Sequence, residues 1–423
     1  MSRAMKNSGY DWIGQVPESW LVLPAQRGFT EIRRKNIDGA VQKALQFKFG
    51  TIIPKTNFDA ESDDYVADTI TTYNIVEPGT VMINGLNLNY DFKTQRSALV
   101  KETGVITSAY LALWPDTTMI IPEFATYLFK GYETKMVLHN MGSGIRLTLG
   151  WKEFKKQPVL FPSIQEQQCI VSFLDRRCAE IDAVVEKTKV TIEEYKKLKQ
   201  SVITEAVTKG IRGNRAMKDS GIEWLGEIPE DWDIKKGKWI LSLLDQPVFQ
   251  DDGVITCFRD GEVTLRSKRR EDGFTISLQE AGYQGINVGD LVVHGMDGFA
   301  GAIGISDSRG KGTPVLNVLD STQNKRYIMY YLRSMAYNGV FLALATGIRV
   351  RSCDTNWNKL KELLYPKPSI DEQEEFASFI DNKIQLLDEL IEKKETLLIE
   401  LENYKKSVIY EYVTGKKEVP ACQ

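Results

Sequence analysis

The sequence predicts an α+β protein: two tandem mixed α/β domains, each followed by a long helix of coiled-coil pattern, related as a pseudo-twofold internal repeat. Three observations predict it. The opening Arg3 to Trp20 returns at Arg215 to Trp232, so that Lys6, Ser8, Gly9, Trp12, Gly14, Pro17, Glu18 and Trp20 have counterparts in Lys218, Ser220, Gly221, Trp224, Gly226, Pro229, Glu230 and Trp232. A second echo links Pro162-Ser163-Ile164-Gln165-Glu166-Gln167 to Pro368-Ser369-Ile370-Asp371-Glu372-Gln373. Each second echo opens a heptad-patterned stretch. With two copies only, this is a duplicated domain rather than a solenoid.

The first domain is expected over 1–162. Its short β-type run Gly79-Thr80-Val81-Met82-Ile83 is followed by a helical stretch from Glu123 to Met136, and it closes on Gly144-Ile145-Arg146. The central helix, expected within 163–212, carries Leu174, Cys178, Ile181, Val185, Thr188, Ile192, Tyr195, Lys199, Val202 and Ala206 at alternating four- and three-residue steps, a coiled-coil seam. The second domain, 213–366, has Gly289-Asp290-Leu291-Val292-Val293, a helical stretch from Lys325 to Leu344, and Gly347-Ile348-Arg349. The last stretch, 367–423, repeats the seam as Ile380, Ile384, Leu387, Ile391, Lys394, Leu398, Leu401, Lys405, Val408 and Tyr412. Lys199 and Lys405 interrupt both seams at the matching place, with Leu198 and Tyr404 placed to cover them. Ser163 with Glu166, and Ser369 with Glu372, have capping-box spacing. About forty residues per helix at about 1.5 Å each give rods of about 60 Å. Each rod pairs with the other or lies as an amphipathic helix on its own domain; regular heptads of this length favour pairing.

Composition excludes little. Hydrophobic residues make up 42% and charged residues 26%, and the formal charge is −3, which argues against a uniformly basic nucleic-acid coat but not against a local basic groove. Cys169, Cys178, Cys257, Cys353 and Cys422 form no CxxC pair and fit reduced thiols of a cytoplasmic protein. No apolar run reaches membrane-spanning length. The chain has two histidines, His139 and His294, neither in metal-ligand spacing, and no P-loop or dinucleotide fingerprint.

Candidate contacts to nucleic acid fall in three groups. Arg266, Lys268, Arg269 and Arg270 form the densest basic run and could neutralise phosphates; flanked by Glu262, Glu271 and Asp272, they could equally form a solvated charged hairpin. Arg146 and Arg349, with Arg351 two residues on, follow Gly-rich turns and could fork onto guanine, clamp phosphate or bond loop carbonyls. Asn84, Asn87, Lys93 and Arg96 follow the β-type run of the first domain, and His294 that of the second, where they could read base edges or form turns. Trp12, Trp20, Trp224 and Trp232, shared by both copies, read as packing anchors. Asp116 with Glu133 and Lys135 loosely matches a metal-nuclease pattern, but Phe124, Tyr127, Leu128 and Met136 put Glu133 on a helix.

The repeated K-[ND]-S-G-x-x-W-[IL]-G-x-[VI]-P-E-x-W opening, the Gly-Ile-Arg turn and the P-S-I-x-E-Q helix start resemble, in this duplicate order, the specificity (S) subunit of type I restriction–modification systems over nearly the whole chain. The resemblance implies two target-recognition domains separated by two antiparallel helices forming a coiled-coil spacer. It implies a non-catalytic chain that binds an asymmetric bipartite site on double-stranded DNA. The expected partners are two adenine-N6 methyltransferase subunits using S-adenosylmethionine, and motor–nuclease restriction subunits using ATP and Mg. The chain itself is expected to bind no cofactor or metal. A coiled-coil scaffold that binds only proteins, and an autonomous nuclease, are the competing readings.

Overall fold

The computed structural model describes residues 3–55, 70–90, 95–142, 147–269, 280–344 and 355–420. The chain divides into two compact units, Met1–Thr188 with Thr396–Gln423, and Lys189–Glu395. The long central helix α2 (Ile164–Lys209) gives its first part to the first unit and its second part to the second. The C-terminal helix α4 (Ile370–Val413) does the reverse.

The first unit is built on an antiparallel sheet of β1 (Phe29–Glu31), β2 (Val81–Ile83), β3 (Ser97–Leu99) and β4 (Leu111–Pro115), in spatial order β1-β4-β2-β3. Helix α1 (Pro122–Glu133) packs against β2 and β3. Proline in its first turn suits the helix start, where the missing N–H has no partner to lose. The strands are short and apolar: Val81, Met82 and Ile83 are all fully buried. The core gathers Trp20, Phe124, Phe129 and Tyr132 with Val408, Ile409 and Val413 from the end of α4.

The second unit repeats this plan. Its sheet has β5 (Leu241–Leu243), β6 (Leu291–His294), β7 (Ile303–Ile305) and β8 (Leu316–Ser321) in the order β5-β8-β6-β7. Helix α3 (Lys325–Tyr337) takes the place of α1, and Gly339 at φ 69 ends it before Leu344, because the left-handed backbone there cannot continue a helix. Ile203, Ala206 and Val207 from the end of α2 enter its core beside Trp232 and Phe376. The minor strand pairs match as well: Leu45–Lys48 with Thr51–Pro54 corresponds to Ile255–Cys257 with Val263–Leu265, and Asn74–Val76 with Gly104–Ile106 to Gln284–Ile286 with Gly310–Gly312. The domain interiors diverge in sequence yet share one topology, since a strand needs an apolar face rather than particular residues.

The sequence repeats turn out to be one structural joint, used once in each unit. Trp20 Nε1–H donates to Glu166 at 3.0 Å, and Arg3 pairs with the same carboxylate at 2.6 Å while lying 5.3 Å from the Trp20 ring. In the second unit Trp232 Nε1–H donates to Glu372 at 3.1 Å, and Arg215 pairs with Glu372 and lies over Trp232. Gln167 and Gln373, both fully buried, each accept from a backbone N–H just before the short domain helix, at Ile121 and Asn324. The serines cap as expected, accepting from Glu166 N–H and Glu372 N–H at 3.3 Å. The reciprocal half of the expected capping box is not what the glutamates do, because the indole and guanidinium claim their carboxylates.

Along α2 and α4 every seam position named from the heptads is buried or half-buried. In the first unit Phe173 meets Tyr412 at 4.4 Å between ring centroids, and Lys405 pairs with Asp182 at 2.6 Å. In the second, Lys199 pairs with Asp388 at 2.8 Å and Arg212 with Glu375. Within each unit the helix segments therefore run antiparallel. Leu198 and Tyr404 do not cover the seam lysines; they are 49% and 46% exposed. Each lysine instead finds the carboxylate of the facing helix, and Asp182 and Asp388 are themselves equivalent places 206 residues apart, like Lys199 and Lys405. Such half-exposed pairs contribute about 1 kcal/mol or less each, and act chiefly on alignment.

Cys178 and Cys257 are buried free thiols, whereas Cys169 is disulfide-bonded, which corrects the expectation of five reduced thiols. No helix among the described residues is long and apolar enough to cross a membrane.

Candidate nucleic-acid interface

The loop after β2 is where the first unit gathers its candidates. Asn84 Oδ1 accepts from Leu86 N–H at 3.1 Å, closing an Asx turn, and Asn87 is exposed with φ 52. Arg96 is not on the surface: it is 1% exposed, and its guanidinium donates to the carbonyls of Asn84 at 3.1 Å and Leu86 at 2.8 Å. It therefore holds the loop from beneath instead of presenting a charge to a phosphate. Lys93 and Arg146 lie outside the described residues. Sequence reasoning missed Phe49, which is 73% exposed at φ 47 in the two-residue turn between Leu45–Lys48 and Thr51–Pro54. The Phe49-Gly50 pair between two alternating runs was the available signal.

Glu133 ends α1 and reaches back to the same loop, accepting from Ser97 O–H at 2.6 Å and Arg96 N–H at 2.7 Å. Burial pushes its carboxyl up to about 7, against the opposing pull of these donors. A carboxyl raised from 4.5 to about 7 on folding makes the folded state the better proton binder. Its contribution is thus fully present below about 4.5 and lost as pH rises through about 7, a change of about 3 kcal/mol. The urea midpoint of the first unit is expected to fall between pH 5 and 7.5, and Glu133→Gln is expected to flatten that fall. An undiminished slope in the variant would assign it to other groups.

The nuclease pattern does not assemble. Asp116 is exposed and accepts from Thr118 N–H and O–H at 3.0 and 2.7 Å, which hold its carboxyl below its ordinary value. Glu133 is committed to Ser97 and Arg96, and the Lys135 ammonium sits 5.4 Å over the Tyr410 ring.

In the second unit the basic run is a short helix, Arg266–Arg269, following the Val263–Leu265 strand, not a hairpin. Arg266 Nε–H donates to Thr256 at 2.9 Å, Lys268 donates to Ser308 at 2.7 Å, and Arg269 pairs with Asp260 and Glu262, both at 2.6 Å. Arg269 also lies 4.0 Å from the Phe258 ring centroid. Arg269 is thus neutralised by its own surroundings, and a phosphate would have to compete for it. Arg270, Arg349 and Arg351 lie outside the described residues.

His294 ends β6 and lines an open cleft with Phe258, Arg259, Arg269 and Asp297. Its Nδ1 accepts from Met296 N–H at 3.2 Å and Asp297 N–H at 3.0 Å, and burial holds the imidazole below its ordinary pKa. The ring is therefore neutral near pH 7. Arg259, which the sequence did not single out, pairs with Asp297 at 2.9 Å on the rim. The cleft combines a fixed imidazole with two guanidinium groups, each paired with a carboxylate that lines the same cleft.

No family model matches the chain. It is 23% identical over 425 residues to the type I restriction enzyme MjaVIII specificity subunit of Methanocaldococcus jannaschii, covering 96% of this chain and 94% of that one. Its fold is similar to a chain solved in work on complex assembly and conformational transition of the type I R-M system, with a TM-score of 0.68, 12% identity, and 95% and 99% of the two chains covered. It is also similar to the HsdS subunit from Thermoanaerobacter tengcongensis, with a TM-score of 0.53, 12% identity, and 95% and 98% covered. Over nearly its full length, then, the chain is similar in sequence to a type I restriction enzyme specificity subunit and in fold to an HsdS subunit, and its repeats build the same joint twice.

Proposed function

We propose that the chain is the non-catalytic DNA-reading subunit of a type I restriction–modification complex. The mixed domains at 1–162 and 213–366 read two unlike half-sites of an asymmetric bipartite target. The long helices, as an antiparallel coiled coil, fix the unread gap and seat two methyltransferase subunits, with restriction subunits joining them. S-adenosylmethionine belongs to the methyltransferase, and ATP and Mg to the motor–nuclease; this chain supplies recognition and assembly. One observation carries the reading: a single topology occurs twice with the same joint, while the side chains on the loops after β2 and β6 differ. Shared framework with unlike loops suits one binding mode applied to two sequences.

The competing scaffold reading is separated by salt. DNA affinity of the assembled complex is expected to fall steeply with salt, at a slope of about −0.9 in log K per log salt for each phosphate neutralised. A flat dependence, or no DNA binding, would favour a scaffold that contacts proteins only.

A further inference from the structure

Strands β2 and β6 end alike. Gly79-Thr80-Val81-Met82-Ile83-Asn84-Gly85 and Gly289-Asp290-Leu291-Val292-Val293-His294-Gly295 share their glycines and their apolar pattern. The registers match too: Val81 faces Leu113 and Leu99, as Leu291 faces Leu319 and Ile305. Asn84 and His294 are therefore equivalent positions. The backbone N–H of each donates across the sheet edge, to Arg96 O at 2.7 Å and Ala302 O at 3.0 Å.

Each side chain then uses its acceptor on its own turn, two residues on. Asn84 Oδ1 takes Leu86 N–H, and His294 Nδ1 takes Met296 N–H and Asp297 N–H. A backbone N–H needs an acceptor, so these bonds settle which atom is which. The amide oxygen of Asn84 faces its turn, and the single proton of the neutral imidazole sits on Nε2. What is left over is Nδ2–H2 on Asn84 and Nε2–H on His294. Both are donors without acceptor capacity, and neither side chain is fully buried. Both are held from behind: Arg96 donates to the Asn84 carbonyl at 3.1 Å, and Thr355 O–H donates to the His294 carbonyl at 2.8 Å.

We propose that Asn84 and His294 are equivalent base-reading positions of the two domains, each offering a lone donor to an acceptor on a base edge in the major groove. The matching edge atoms are purine N7, guanine O6 or thymine O4, and the exocyclic amines of cytosine and adenine are rejected because they are donors themselves. The inference rests on the reading of the chain as a DNA-reading subunit. Its particular content is that one place in the fold is used twice with one sign of hydrogen bond.

The test uses the full chain co-expressed with its methyltransferase partner, with the methylated motif read by single-molecule sequencing. Asn84→Asp keeps the acceptor for Leu86 and replaces the amine by oxygen, with a negative charge that acts alike on every DNA sequence. His294→Asp likewise keeps an acceptor at the Nδ1 place for Met296 N–H and Asp297 N–H, and offers no donor. Each variant is expected to lose about 10- to 100-fold of discrimination at one base pair of one half-site, the two variants acting on opposite half-sites. If the parent chain directs a split motif and neither variant changes it, this inference fails alone. A loss equal at all positions, with discrimination unchanged at every base pair, also overturns it, since that is the mark of folding, charge or phosphate contacts. If the parent chain directs no split motif, the DNA-reading assignment fails with it.

Discussion

Glu372→Ala is expected to destabilise the second unit by about 3–5 kcal/mol, whereas the equivalent Glu166→Ala costs the first unit about half as much. The reason is burial. The Glu372 side chain is 3% exposed and the Glu166 side chain 22%. Removing a buried carboxylate leaves the Trp232 indole N–H without its acceptor, and deprives Arg215, itself 15% exposed, of its inner partner. A buried donor left unmade costs about 1–3 kcal/mol and a broken buried pair about 3–5 kcal/mol. Arg215 keeps Asp231, which limits the loss. In the first unit water can replace part of what Glu166 supplied. Urea unfolding of the full chain, followed by tryptophan fluorescence, reads both, since Trp20 and Trp232 each sit in the affected joint. Equal losses in the two variants would show that burial does not set the value of this joint.

Adding one helical turn to both α2 and α4 is expected to lengthen the unread gap of the DNA target by one or two base pairs. A turn adds about 5.4 Å, against about 3.4 Å per base pair along a strand. The half-site sequences themselves are expected to stay as they were, because Asn84, His294 and the loops around them are untouched. Inserting in one helix only is expected to abolish activity instead, because it shifts Lys199 from Asp388 or Lys405 from Asp182 and carries the apolar seam out of register. Methylome sequencing of the double-insertion protein checks this. An unchanged gap would remove the helices from any role in spacing.

The duplication was legible in the sequence because its repeated residues do obligatory work at fixed places. Gly14 and Gly226 return at the same place because both adopt left-handed backbone, at φ 71 and 65. Trp20 and Glu166, 146 residues apart, return as Trp232 and Glu372 because each pair is one contact. The heptads were legible for the same reason: a seam position is defined by its own spacing. The matching topology of the domain interiors was not, since short strands such as Val81–Ile83 and Leu291–His294 share burial but few residues. Single roles were the least legible. Arg96 looked like a surface cation and is a buried loop clamp; Arg269 looked like a phosphate contact and is held by Asp260 and Glu262. In both cases the deciding partner lies in another element, beyond what spacing can show. Turn formation and base reading were posed as alternatives at Asn84 and His294, yet the turn bonds take only the acceptor of each side chain.

The most direct measurement is single-molecule sequencing of adenine methylation in a host carrying the methyltransferase partner, with and without this chain. A split, asymmetric motif that appears only when the chain is present, with unlike half-sites and a gap of fixed length, is the predicted result. A palindromic motif, or adenine methylation that does not depend on the chain, would contradict the account.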